Sequence, residues 1–158
     1  MLIWLLGKSG AGKTFFAKKI IKYLEKKNIK CFHIDGDEFR KYISIDLKYD
    51  LKSRYINGLR VFKFCKYLIS KKYTVVLSMQ SAFRDMQKKN KKNFKKYIQI
   101  NLTRTRSINK FKRNEKFILG KDIKFSPLKG DLNIQNKIKN TKKNFSLITK
   151  YLNKKFKI

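Results

Sequence analysis

The chain has 158 residues, 42% of them hydrophobic, which suits one folded domain with a sizeable core and argues against disorder. The apolar start, Leu2 to Leu6, is too short for the core of a signal peptide and no later run approaches the roughly twenty apolar residues of a membrane span, so a cytoplasmic protein with no membrane partner is expected. Forty-two Lys and Arg against ten Asp and Glu give a formal charge of +32, but Lys outnumbers Arg thirty-five to seven and the basic residues lie in nearly every segment; this reads as compositional bias and solvated lysine faces, and nucleic acid is not the expected partner.

In chain order, Leu2 to Leu6 predicts a buried strand. Thr14 to Lys26 predicts a helix, with Phe15, Phe16, Ala17, Ile20, Ile21 and Leu24 at helical spacing. Between the two stands GKSGAGKT, which fits the pattern G-x-x-x-x-G-K-[ST] in the strand, loop and helix context that pattern requires. Gly7, Gly10 and Gly12 let successive backbone N–H groups turn inward onto phosphate oxygens, and the helix start adds partial positive charge. Lys8, Ser9 and Ala11 fill the rest of this loop. Lys13 would reach the β and γ phosphates of ATP, and the Thr14 hydroxyl would complete a Mg²⁺ shell.

The pattern then alternates. Lys30 to Asp35 predicts a strand, Leu51 to Lys71 a long helix, Tyr73 to Met79 a strand, Phe83 to Asn93 a polar helix and Tyr97 to Leu102 a strand, while Lys139 to Phe156 has helical spacing again. Arg104 to Gly130, with its charges and the single Pro127, predicts a helix followed by a mobile lid or loop. Such βαβ repetition implies a single α/β domain over residues 1–158, a P-loop NTPase-type three-layer α/β/α sandwich with a mostly parallel sheet. Cys31 and Cys65 lack metal-binding or C-x-x-C spacing and read as buried free thiols, and the lone His33 excludes a histidine triad or zinc cluster.

A second informative stretch is DGDEFR. Three of the ten carboxylates, Asp35, Asp37 and Glu38, fall within four residues just after the second predicted strand. Ligands of open parallel sheets sit at the carboxyl ends of the strands, so this cluster should face the phosphate loop, with Mg²⁺, Lys13 and Arg40 to compensate its charge. A turn and helix cap explains one Asp but not three acids.

GKSGAGKT, DGDEFR and DLKYDLKSRYINGLR, in this order, resemble the adenylylsulfate kinase family, whose pattern is a GLSGAGKS/T loop, a DGDN-x-R box and a D-L-G-F-S-x-x-D-R-x-E-N-x-R-R helix start. The resemblance runs from Leu2 to about Leu102 and returns weakly at GKDIKFSP and DLNIQN. It implies transfer of the ATP γ-phosphate to the 3′-hydroxyl of a small nucleotide-linked substrate, with Asp35 and Asp37 orienting or deprotonating that hydroxyl and holding metal-bound water. It further implies that Thr14 and Asp35 serve the metal and that Arg40, Arg54 and Asn57 grip the acceptor's phosphate and sulfate groups. Tyr49 would replace a stacking Phe, and a homodimer is compatible with it.

The departures are specific. Glu38 stands for the family's Asn, Ser53 for its Asp, Lys48-Tyr49 for its Gly-Phe, and QSAFR for its I-S-P-Y-R, so that Ser81 keeps the family's serine while Ala82 replaces proline. By the same resemblance Met79 and Gln80 would complete this rim of the acceptor pocket. The family's K-G-L-Y-K-K-A-R lid is replaced by SINKFKRNEKF, leaving Arg104 or Arg106 as the adenine-side contact. The acceptor implied is adenylyl sulfate or another anionic nucleotide such as cytidine diphosphoramidate. Oligonucleotide end-phosphorylation and non-catalytic nucleotide binding are the readings of other classes.

Overall fold

The computed structural model of this chain describes residues 1–104 and 117–158. Strands β1 (Leu2–Leu6), β2 (Cys31–Asp35), β3 (Thr74–Ser78), β4 (Tyr97–Thr103) and β5 (Leu132–Gln135) form one sheet in the order β2-β3-β1-β4-β5, and every pairing is parallel. The helices are α1 (Lys13–Glu25), α2 (Gly36–Tyr42), α3 (Leu51–Ser70), α4 (Arg84–Asn93) and α5 (Thr141–Phe156), the last entered through a 3₁₀ turn at Ile138–Asn140.

Period-two alternation along β1 divides the core. Ile3 and Leu5 point to one face, where Phe16, Ala17, Ile20 and Leu24 of α1 and Ile148 and Leu152 of α5 cover them. Leu2, Trp4 and Leu6 point to the other, against Val61, Cys65 and Leu68 of α3 and Phe39 of α2. Both faces of a parallel sheet are thus buried, which is why β1 reads as an unbroken apolar run and β3 is apolar through Val75, Val76 and Leu77. The Trp4 indole sits in this core with its N–H donated to the Met79 carbonyl, 3.1 Å away. Among the described residues no helix is long and apolar enough to cross a membrane.

The expected α/β/α layering is observed, and the sheet is parallel throughout its five strands. Two elements went unforeseen. Helix α2 has only seven residues and its N-cap, Asp35, is also the last residue of β2, so its signal merges with the strand's. Strand β5 has four residues of which Ile134 alone is buried, too little for a readable alternation. Residues 117–130 carry no helix; they contain a turn closed by a Leu119–Ile123 bridge. Arg106 and most of the SINKFKRNEKF stretch lie outside the described residues. Cys65 is buried as expected, but Cys31 is only half-buried, since β2 is an edge strand whose thiol donates to the Ile29 carbonyl.

Candidate active site

Because the strands are parallel, β1, β2 and β3 deliver their carboxyl ends to one edge of the sheet. The segments that follow them meet there around a cleft of about 260 Å³. Its floor on one side is the Gly7–Thr14 loop. Gly12, the N-cap of α1, has φ +96°, and a side chain there would meet the Asn136 amide nitrogen at 2.4 Å. A residue with a Cβ would be strained by the backbone angle and would push the Asn136 amide away. That amide donates to the Ala11 carbonyl at 2.9 Å, bracing the loop from beneath. Lys13 folds over the loop and donates to the Lys8 carbonyl at 3.0 Å. Burial lowers its pKa, against the opposing pull of Asp37 and Asp35.

Asp35 is the most connected acid of the site. Its Oδ1 accepts the Asp37 backbone N–H at 3.0 Å, while Oδ2 accepts the hydroxyls of Thr14 at 2.7 Å and Ser78 at 3.0 Å. Burial pushes its pKa up, but these donors and the Glu38 N–H outweigh it and hold the carboxylate below its ordinary value. Thr14, by giving its hydrogen to Asp35, keeps its oxygen lone pairs free for a hard cation.

Arg40 and Arg54 form the opposite wall. Their guanidinium carbons lie 4.8 Å and 5.6 Å from the centre of the Tyr49 ring. Arg40 donates to the Lys48 carbonyl at 2.7 Å, and Arg54 to the carbonyls of Tyr49 at 2.7 Å and Phe117 at 2.8 Å. Burial lowers both pKa values, and for Arg54 the charge of Arg40 adds to it. The loop carrying Tyr49 is pinned by the Asp46–Arg60 ion pair and by Asp50, which caps α3 by accepting from Ser53. Asn57 is 3% exposed, borders the cleft, and its Oδ1 has no hydrogen-bond partner among the described residues.

Most of the sequence-derived site residues meet here. Ser9, Gly10, Gly12, Lys13 and Thr14 line the cleft from the loop side. Asp35, Asp37, Arg40, Tyr49, Arg54, Asn57, Met79 and Gln80 line the rest of it. Gly7 and Ala11 are buried behind the loop, and Ser81 lines an adjoining recess shared with Arg40, Arg54 and Asn57. Three do not meet it. Lys8 is exposed with its methylenes over Gly120, Glu38 points to solvent, and Arg104 is exposed past the end of β4. Glu38 contributes its backbone N–H to Asp35 instead.

Three residues were missed. Ser78 lies opposite Asp35 in the β2–β3 register, and its only trace in the sequence is a polar residue near the end of an apolar strand. Phe15, half exposed at the cleft, carries in the sequence only the signal of a helix face. Asn136 comes to the loop from a distant segment and leaves no local signal.

The sequence pattern of the family described as Adenylylsulphate kinase matches residues 1–121. The chain belongs to this family. Among the relatives of this adenylylsulphate kinase family member, the cytidine diphosphoramidate kinase of Campylobacter jejuni subsp. jejuni is 29% identical over 88% of each chain. The adenylyl-sulfate kinase of Buchnera aphidicola subsp. Schizaphis graminum is 30% identical, over 56% of this chain and 42% of that one. In fold, the chain is similar to the Mycobacterium tuberculosis APS kinase solved in complex with AMPPNP and APS, with a TM-score of 0.81 and 18% identity over 94% of this chain and 95% of that one. The protein is thus a kinase, a phosphotransferase with an alcohol group as acceptor.

Proposed function

We propose that this kinase transfers the γ-phosphate of ATP to the 3′-hydroxyl of a nucleotide whose 5′ end carries a second anionic group. The carrying observation is the two-ended cleft: Lys13, Thr14 and Asp35 at one end, Arg40, Arg54 and the unpartnered Asn57 at the other. Two partly buried guanidinium groups with no carboxylate hydrogen-bonded to them among the described residues suit an oxyanion ligand, since the forks of Arg match its oxygens. Cytidine diphosphoramidate is the first acceptor to test, because the relative acting on it by name aligns along nearly the whole chain. Adenylyl sulfate is the second, favoured by the family pattern over residues 1–121.

The residues present fit Mg²⁺. Thr14 and Asp35 supply hard oxygens, and among the described residues no cluster of three or more His, Cys, Asp or Glu forms a dedicated metal cage. Mg²⁺ commonly keeps several waters and binds through one or two protein groups plus phosphates. When bound it would neutralise charge on the β and γ phosphates. The loop amides and Lys13 hold those phosphates, Thr14 and Asp35 hold the metal side, and Asp37 aims the acceptor hydroxyl or takes its proton. ADP release measured with cytidine diphosphoramidate, adenylyl sulfate and a single-stranded oligonucleotide tests this reading: turnover with the oligonucleotide alone would overturn it.

A further inference from the structure

The one histidine of the chain has no place in the chemistry described so far. His33 lies on β2 two residues before Asp35, so both side chains project from the same face of the strand. It is half-buried, and its Nε2 lies 2.9 Å from Ser78 Oγ. Ser78 Oγ in turn lies 3.0 Å from Asp35 Oδ2, the oxygen that also receives the Thr14 hydroxyl at 2.7 Å. Four side chains from three segments form one line, from the edge of the sheet to the phosphate loop.

The direction of the line follows from donor and acceptor inventory. An ionised carboxylate only accepts, so Ser78 gives its single hydrogen to Asp35. The Ser78 oxygen is then the acceptor of the remaining contact, and His33 Nε2 carries the hydrogen. With that hydrogen in place Ser78 cannot turn its hydroxyl toward His33. Its alternative hydrogen-bond orientation is closed.

We propose that His33 is a positioning residue of the phosphoryl-transfer site: by donating Nε2–H to Ser78 Oγ it commits the Ser78 hydroxyl to Asp35 Oδ2 and so fixes the carboxylate that orients Thr14. This rests on the phosphate-loop reading above. A purely structural histidine would support β2 and β3 without regard to metal. A positioning histidine acts on the metal-dependent part of nucleotide binding, because Thr14 and Asp35 are the residues that would hold it, and outer hydrogen-bond partners of metal ligands commonly alter metal affinity by ten- to a hundredfold.

The test is calorimetric binding of AMPPNP with and without Mg²⁺, on wild type, His33→Leu, His33→Gln, Ser78→Ala and the His33→Leu/Ser78→Ala pair. His33→Leu is expected to reduce the Mg²⁺-dependent gain in affinity by about tenfold and to leave Mg²⁺-free binding unchanged. His33→Gln, which retains an N–H donor, should recover most of the gain, and His33→Leu should add nothing in the Ser78→Ala background. An equal loss with and without Mg²⁺, or the same loss in both backgrounds, overturns the proposal. Should His33→Leu fail to fold, the comparison of His33→Gln with Ser78→Ala still decides: only Ser78→Ala should lose the Mg²⁺-dependent gain, and an equal loss in both overturns it. A wild type without Mg²⁺-dependent binding overturns the functional reading itself, whereas a wild type with it and an indifferent His33→Leu overturns this inference alone.

Discussion

The two ends of the cleft are built differently. The phosphate end is one contiguous loop braced by side chains from three other segments: Lys13 lies on the Lys8 carbonyl, Thr14 and Ser78 on Asp35, Asn136 on the Ala11 carbonyl. The acceptor end draws on α2, the following loop, the start of α3 and the residues after β3, and it leaves a buried carbonyl oxygen of Asn57 unpaired. A buried polar atom without a partner costs about 1 to 3 kcal/mol, so on the proposed reading a donor on the acceptor would find its hydrogen-bond partner at Asn57 Oδ1.

The sharpest way to break this comparison is at Asp37, which borders both ends. Asp37→Asn should preserve AMPPNP binding and lower kcat by about a hundredfold or more, the scale of a group that aims or accepts a proton. Loss of AMPPNP binding together with its Mg²⁺ dependence would instead make Asp37 a metal-side residue. Lys13→Ala strikes the preorganised end alone. It should lower turnover by on the order of a hundredfold while thermal melting stays close to wild type, because the lost contact is made chiefly to the transferring phosphoryl group. Near wild-type turnover would remove the loop from the chemistry.

Arg54→Ala tests the receptive end. It should raise the acceptor's KM and lower kcat/KM by roughly 1.5 to 3 kcal/mol, the range of a charged hydrogen bond, with the KM for ATP unchanged. Steady-state kinetics with each acceptor in turn checks both halves. Because Arg54 also donates to the carbonyls of Tyr49 and Phe117, a fall in stability without a change in acceptor KM would reassign it to holding that wall together.

The same contrast explains what could be read in advance. The phosphate loop was legible because its work is done by backbone geometry, and Gly10 and Gly12, with φ of +69° and +96°, announce that geometry within eight residues. The acid cluster was legible because carboxylates are scarce in a chain of +32 charge. Ser78, His33 and Asn136 were not, since each acts through a partner between 43 and 125 positions away, and nothing local marks such a pairing. Glu38 shows the opposite failure: its charge drew it into the site, yet only its backbone N–H serves Asp35.

Asn136 gives the phosphate loop a support from a distant segment. Asn136→Ala would leave the Ala11 carbonyl unpaired, at a cost of about 1 to 3 kcal/mol. Thermal melting should fall and the KM for ATP should rise, with the acceptor's KM unmoved. A variant with lowered melting and unaltered ATP kinetics would show that the loop holds its shape without this brace.

The smallest expected effect lies behind that brace. Asp131 precedes β5, the strand that carries the chain to Asn136, and accepts the Gln99 N–H at 2.8 Å, Lys155 at 2.8 Å and the Tyr151 hydroxyl at 3.2 Å. Burial pushes its pKa up, but these donors win and hold the carboxylate below its ordinary value. A carboxyl depressed by folding contributes stability at pH above its unfolded value of about 3.9 and loses it as pH falls through that value toward the folded one. Wild type should therefore melt higher than Asp131→Asn at pH 7, by the equivalent of about 1 kcal/mol, and the gap should begin to narrow as pH falls below about 3.9. Comparing the two proteins at each pH cancels the titration of the other carboxylates. A gap that persists undiminished at pH 3 would mean that Asp131 acts through shape and neutral hydrogen bonds, and that β5 is held without its charge.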